Sequence, residues 1–184
     1  MAAAALSFKK GNNKPIKLFF QDEAKFGRIN KIGKCWTPPN QRAVIGQQII
    51  REYTYVFAAV CPETGENFSL ILPQANTITM NIFLKEFSKE YKKYRVIMAM
   101  DKAGWHTSKE LKVSNNIAIM NLPPYSPELN PAEHLWDYIR EKKGFNNNVF
   151  NSLDDVETKL SNVLLEMSNN TEEIKSLCNF SWLH

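Results

Sequence analysis

The stretch RVIMAMD at residues 95–101, followed by IAIMNL at 117–122, decides the fold. Both are apolar runs of strand length, and the first leads directly into Asp101. Residues 108–113 between them are predicted to form a short crossover helix. A strand, helix, strand order favours a parallel pair joined by a right-handed crossover. Just upstream, residues 77–94 place Met80, Phe83, Leu84, Phe87, Tyr91 and Tyr94 on one helical face and Lys85, Lys89, Lys92 and Lys93 on the other. This predicts an amphipathic helix whose lysines form a solvated face.

Further upstream, residues 53–61 and 67–72 are β-rich runs on either side of Pro62-Glu63-Thr64-Gly65-Glu66. The intervening loop has hairpin length and a glycine placed for positive φ, so an antiparallel pair is expected. The run IKLFFQ at 16–21 predicts a buried strand with Asp22 at its end. Residues 27–48 hold Arg28, Lys31 and Lys34 around two glycines, then Trp36, Pro38 and Pro39, and read as a long basic excursion. On the C-terminal side, Asn130-Pro131 predicts an N-cap with proline at the first helical position, and the helix should run to about Lys143 before Gly144. Residues 152–167 and 171–178 predict two more helices. This order matches an α/β domain of ribonuclease H-like fold, with a mixed five-stranded sheet and flanking helices.

Composition narrows the function classes without naming one. The chain has 184 residues, with 23 Lys and Arg against 19 Asp and Glu, for a formal charge of +4. That is one domain's worth of chain, large enough to hold a core without a disulfide or structural metal. The mild positive charge suits a polyanionic partner or an ordinary enzyme. The longest apolar runs, such as 56–61, fall far short of the roughly 18 residues that span a bilayer, so no membrane partner is expected. Cys35, Cys61 and Cys178 are widely spaced and odd in number, which fits reduced thiols and a cytoplasmic location. Residues 1–14 read as a linker remnant or cloning scar, with one domain over 15–184.

In such a sheet Asp22 and Asp101 fall on adjacent strands, and the helix opening at Asn130 brings Glu133 across to them. Oxygen-only ligands suit hard cations such as Mg²⁺ or Mn²⁺. Two such ions can activate a water or a 3′-hydroxyl and stabilise the leaving oxygen of a phosphodiester. Each acid also has a plainer reading. Asp22 and Asp101 are residue types that end strands and start turns. Glu133 stands at the N3 position of a capping box with Asn130. Asp137, one turn later, competes as the third ligand, and Glu23 should point to the opposite face from Asp22.

Three segments taken together resemble one family. QDEAKFGRIN at 21–30, MAMDKAGWHTSK at 98–109 and LPPYSPELNPAEHLWDYIR at 122–140 closely resemble the catalytic domain of the IS630 group of bacterial transposases, relatives of the Tc1/mariner elements. The Ser-Pro-x-Leu-Asn-Pro-x-Glu-x-x-Trp pattern at 126–136 is the most specific part, and REYTYVFAAVCPETGE at 51–66 is similar to the second and third strands of that family. The similarity covers roughly residues 16–167. It implies a DDE domain with Asp22, Asp101 and Glu133 as the catalytic, metal-binding triad. It also implies Mg²⁺ (or Mn²⁺ in its place), two ions, double-stranded DNA as partner, cleavage at element ends and joining of the freed 3′-hydroxyls to target DNA at TA. A homodimer is implied for the full-length protein, bound to the bacterial nucleoid when on DNA.

Departures from the family pattern accompany the likeness. Residues 102–132, 31 in all, separate Asp101 from Glu133, a few short of the usual spacing, and the deficit falls in 109–122. Lys102 stands where relatives often have Asn, and Asn40 where they often have Gly. Relatives carry helix-turn-helix modules ahead of the catalytic domain, and these are expected to be absent here. The excursion resembles the flap that relatives insert to meet DNA or a second subunit. Arg28, Lys31, Lys34 and Trp36 are therefore candidate DNA contacts, with Lys102 and His106 beside the second acid. For the excursion the alternative is a solvated loop pinned by a buried Trp36, and for His106 a histidine bonded to loop backbone. His134 and Tyr125 also stand near the third acid, while Trp105 and Trp136 read as core. Two other functions stay open: a domesticated or inactive transposase-derived DNA-binding or assembly domain, and a stand-alone ribonuclease H-like nuclease.

Overall fold

The computed structural model describes residues 13–180; most of the expected N-terminal remnant lies outside them. Five strands form one sheet in the order β3-β2-β1-β4-β5: β1 (Ile16–Ile29), β2 (Ile49–Val60), β3 (Asn67–Leu72), β4 (Arg95–Met100) and β5 (Ile117–Asn121). β1 pairs antiparallel with β2, which pairs antiparallel with β3, while β1, β4 and β5 run parallel. This is the ribonuclease H-like arrangement expected from the order of elements.

Side-chain alternation along β1 splits the core in two. Phe20, Ala24 and Phe26 face a cluster with Val156, Leu160, Val163, Trp136 and Ile139. Phe19 faces the other cluster with Phe57, Met98, Phe83, Phe87 and Tyr91. The second side is covered by α1 (Thr77–Glu90), which ends short of the predicted 94 and starts at a capping box between Asn76 and Thr79. Phe19 meets the Phe87 ring edge-on at 5.0 Å, one of several such aromatic pairs beneath this helix. The first side is covered by α2 (Glu133–Asp137), α3 (Leu153–Asn169) and α4 (Thr171–Cys178). Gly65 turns the β2–β3 hairpin at φ 73°, and a Cβ there would come within 1.8 Å of the Thr171 carbonyl oxygen. The hairpin thus packs on the start of α4 through a position only glycine fills.

Three expectations need correction. The first strand does not end at Asp22: its period-2 burial continues through Ala24 and Phe26, so Asp22 sits mid-strand opposite Ala58. Residues 108–113 are irregular with one turn at 109–110 rather than a helix: the crossover between the parallel strands β4 and β5 is held to α1 by Asn81, which donates to the Glu110 carbonyl and accepts from the Lys112 N–H. The helix predicted from Asn130 to Lys143 is broken up: a 3₁₀ turn (Pro127–Leu129), the single α turns of α2, and a π-helical turn (Tyr138–Lys142) that Gly144 closes at φ 69°. Asn130 does two jobs: its Oδ1 accepts from the Ala132 N–H, as an N-cap does, over the turn that precedes α2, while its Nδ2 donates to the Gln21 carbonyl and ties that turn to β1. The excursion itself spans residues 30–48, β1 and β2 being longer than expected.

Candidate active site

The parallel register of β1 and β4 runs from Ile16 opposite Arg95 to Phe20 opposite Ala99. Continued by two residues, it sets Asp22 beside Asp101, and both alternate onto the face covered by α2. Asp22, Asp101, Lys102 and Glu133 line one cleft of about 410 Å³, together with the loop from Leu122 to Pro127. Asp137 does not enter it. That side chain is exposed and lines a second cleft with Lys31, Lys34, Trp36 and Arg140.

Each acid is held differently. Asp22 is half-buried, and its Oδ2 accepts a 2.7 Å hydrogen bond from Trp136 Nε1, itself only 1% exposed. Burial pushes its carboxyl up to about 7; the Trp136 bond opposes this and the charge of Glu133 adds to it. Asp101 follows the last residue of β4, with its side chain 59% exposed. Its Oδ1 accepts from the Ala103 N–H at 2.9 Å, so the plainer turn reading holds alongside its place in the cleft. Glu133 is not a cap: the Asn130 N–H donates to the Pro127 carbonyl at 2.9 Å, and no side chain caps α2. Burial raises the Glu133 carboxyl, Arg140 opposes, and the charges of Asp137 and Asp101 raise it further.

Glu23 points to the opposite face from Asp22, as alternation requires, and there it meets His106. His106 Nε2 lies 2.9 Å from Glu23 Oε1, and Nδ1 lies 2.7 Å from Asp101 Oδ1 and 3.2 Å from the Asp101 carbonyl. The imidazole is thus bonded to loop backbone and to two carboxylates at once. Burial alone pulls the His106 imidazole down; the hydrogen bond and charge of Glu23, then Asp101, outweigh it and raise it. Trp105 is half-buried against the α1-side core, and its Nε1–H also reaches Glu23 Oε1, at 3.4 Å. Sequence reasoning put Trp136 in the core and gave Glu23 no partner. The signal for Glu23 was its place next to Asp22 on the other face, once β4 is known to be the neighbouring strand.

The flap candidates separate into two kinds. Arg28 is engaged inside the protein, with Nη1 2.8 Å from Glu52 Oε2 and Nε donating to the Phe150 carbonyl. Lys31, Lys34 and Trp36 are exposed, and Trp36 is 103% exposed, so the loop is not pinned by a buried tryptophan. What holds the flap is Asn147, at φ 62°. Its Oδ1 accepts from the Gly33 N–H at 2.8 Å, its Nδ2 donates to the Gly33 carbonyl, and its own N–H donates to the Lys31 carbonyl. Asn40 adopts φ 66°, a left-handed turn conformation that asparagine tolerates and glycine favours, which accounts for the substitution noted in the sequence.

The cleft's donor set fits a hard divalent cation: three carboxylates, acceptors only when ionised, on three elements, with the burial of Asp22 and the charge of Glu133 both disfavouring its ionised form until a cation is there. Such ions take a few protein carboxylates and keep several waters. Among the described residues the three acids do not already close into a ligand cluster. No helix among them is long and apolar enough to cross a membrane.

Comparisons with known proteins bear on the family and the fold. The sequence profile described as DDE superfamily endonuclease matches residues 17–157. The uncharacterized protein y4pE/y4sA of Sinorhizobium fredii (strain NBRC 101917 / NGR234) is 35% identical over 133 residues, covering 72% of this chain and 98% of that protein. Among solved structures, the Mos1 mariner paired end complex with Mn superposes with a TM-score of 0.63 at 18% identity, over 88% of this chain and 53% of that chain. The Mos1 strand transfer complex gives 0.61 at 18% identity, over 87% and 52%. The chain therefore spans about half the length of the Mos1 chains it matches, and at this identity the likeness is one of fold.

Proposed function

The chain belongs to the DDE superfamily endonucleases, and from that premise we propose that it is a transposase catalytic domain of the IS630 group, over residues 15–184, that cleaves DNA at element ends and transfers the freed strands to target DNA. The observation that carries this reading is the shared cleft of Asp22, Asp101 and Glu133 at the end of the parallel β1–β4 pair. In this proposal the three carboxylates hold Mg²⁺, or Mn²⁺ in its place, as a pair of ions. A divalent cation so held supplies Lewis acidity and a nucleophilic oxygen at neutral pH.

The protein's own groups supply the rest. Trp136 fixes Asp22 from inside the core, and Asn130 ties β1 to the entry of α2 through the Gln21 carbonyl. Asp22, whose carboxyl sits near neutrality without a cation, gives up its proton when one binds. Lys102 at the cleft and Lys31 and Lys34 on the flap meet phosphates of double-stranded DNA, with Trp36 positioned to stack on a base or a second protomer. Arg28 and His106 act from within, Arg28 by securing the flap's root. Joining at TA, a homodimer for the longer protein and a cytoplasmic site of action on the nucleoid belong to the same proposal.

The test is cleavage of supercoiled DNA by the purified chain with Mn²⁺ or Mg²⁺. Nicking or joining by wild type and none by Asp101→Asn is expected. Identical residual cleavage by wild type and Asp101→Asn would assign the activity to a contaminant and remove the catalytic reading.

A further inference from the structure

Glu23 is a carboxylate at the centre of a sheet, with a side chain 7% exposed, packed over a side chain, His106, that is 1% exposed. A buried carboxylate is costly unless it is paired and hydrogen-bonded. His106 is the partner, and it is a bridge: its ring spans from Glu23 on one face of β1 to Asp101 at the end of β4. Carboxylates only accept, so with Glu23 and Asp101 both ionised the two contacts use both ring nitrogens as donors. Both nitrogens are occupied, at 2.7 and 2.9 Å, which leaves the imidazole no valence for a phosphate or an attacking water.

We propose that Glu23 and His106 are a positioning pair for Asp101, setting which carboxylate oxygen faces the cation. This rests on the proposed function, and goes beyond it by giving roles to residues outside the triad. Asp101 sits past the end of its strand with an exposed side chain, so the sheet alone does not fix its rotamer. His106 Nδ1 and the Ala103 N–H both bind Oδ1, and Oδ2 makes no hydrogen bond among the described residues. The carboxylate is held by one oxygen and offers the other. Glu23 holds the ring in turn, with Trp105 as a weaker second donor to the same Oε1. Asp22 has the same arrangement by other means, with Trp136 on its Oδ2. Partners of this kind orient metal-binding groups, and losing them typically weakens metal affinity or activity by about 10–100-fold.

The experiment is a Mn²⁺ titration of the DNA-free chain, followed by electron paramagnetic resonance of free Mn²⁺, with cleavage kinetics alongside. The chains are wild type, Asp101→Asn, Glu23→Gln and the doubly substituted Glu23→Gln/His106→Gln. Glu23→Gln keeps the shape but removes the charge that makes both ring nitrogens donors: a neutral His106 either loses the Nδ1–H that faces Asp101 or keeps it as a weaker, uncharged donor. Expected for both pair variants is Mn²⁺ affinity lower by about 10-fold or more, kcat lowered at fixed Mn²⁺ and partly recovered at high Mn²⁺, and KM for DNA unchanged. The double variant leaves no buried charge unpaired, so it keeps the question answerable should the single one not fold. Mn²⁺ affinity equal to wild type in a folded pair variant would overturn the proposal. Wild type that binds no Mn²⁺, or binds it as well as Asp101→Asn does, would instead overturn the functional reading beneath it.

Discussion

The acidic cleft lies by the β1–β4 pair and the basic flap joins β1 to β2, yet they are built by opposite means. Asp22 is mounted mid-strand, its neighbours Phe20 and Ala24 are buried, and its carboxylate is gripped by a core tryptophan. The flap, residues 30–48, packs little apolar surface and hangs on polar clasps: Asn30 with Gln48 at its root and Asn147 with Gly33 partway along. Groups that must be placed within fractions of an ångström sit on packed elements, and groups that must follow a flexible polymer sit on a loop.

Breaking the packed side should have the largest effect. Trp136→Ala removes a side chain of the main core and the donor to Asp22, and should cost about 3–5 kcal/mol, read as the free energy of urea unfolding. Trp136→Phe keeps most of the packing, and should lose far less stability while still changing Asp22.

The next effect is electrostatic. The Asp22 carboxyl is raised to about 7 in the folded protein, above its unfolded value. A raised carboxyl stabilises the fold at low pH, and that contribution is lost as pH rises through the folded value. Metal-free wild type should therefore lose stability between about pH 4 and pH 7, by up to about 4 kcal/mol on this account. Asp22→Asn should flatten that slope, and melting in EDTA across this range reads it directly. Added Mg²⁺ should raise the melting temperature of wild type at pH 8 and leave Asp22→Asn unchanged.

On the flap, Asn147→Ala removes two side-chain hydrogen bonds and forces alanine to a positive φ, for a cost of about 1–2 kcal/mol in the same unfolding assay. Trp36→Ala should change stability by less than about 0.5 kcal/mol, since the ring is fully exposed. Its effect, with Lys31→Ala and Lys34→Ala, should fall on DNA affinity: each lost phosphate contact lowers the salt slope of binding by about 0.9. A large stability loss from Trp36→Ala would show that the flap is packed after all and remove the contrast.

The sequence disclosed most where the periodic signal was strong. β3, β4 and α4 have the boundaries their apolar patterns predict, and the carboxylate pairing follows from strand order. It disclosed least where one residue type serves two purposes. Asn130-Pro131 has the form of a helix start and Asn130 does accept from the Ala132 N–H, but it also holds β1, and the regular helix begins only at Glu133 and passes into a π turn. Residues 108–113 carry enough helix formers for a helix, but their contacts to Asn81 on α1 favour turns. Glu23 and Trp136 act through side chains reached only by tertiary contact, which no local pattern encodes.

The central claim is that Asp22, Asp101 and Glu133 form one divalent-cation site. A crystal of the chain with bound DNA, soaked in Mn²⁺ and measured at the manganese absorption edge, tests it most directly. The account predicts anomalous density within bonding distance of Asp22 and Asp101, with Glu133 completing the set. Manganese bound instead at Asp137, or absent from the cleft at saturating concentration, would contradict it.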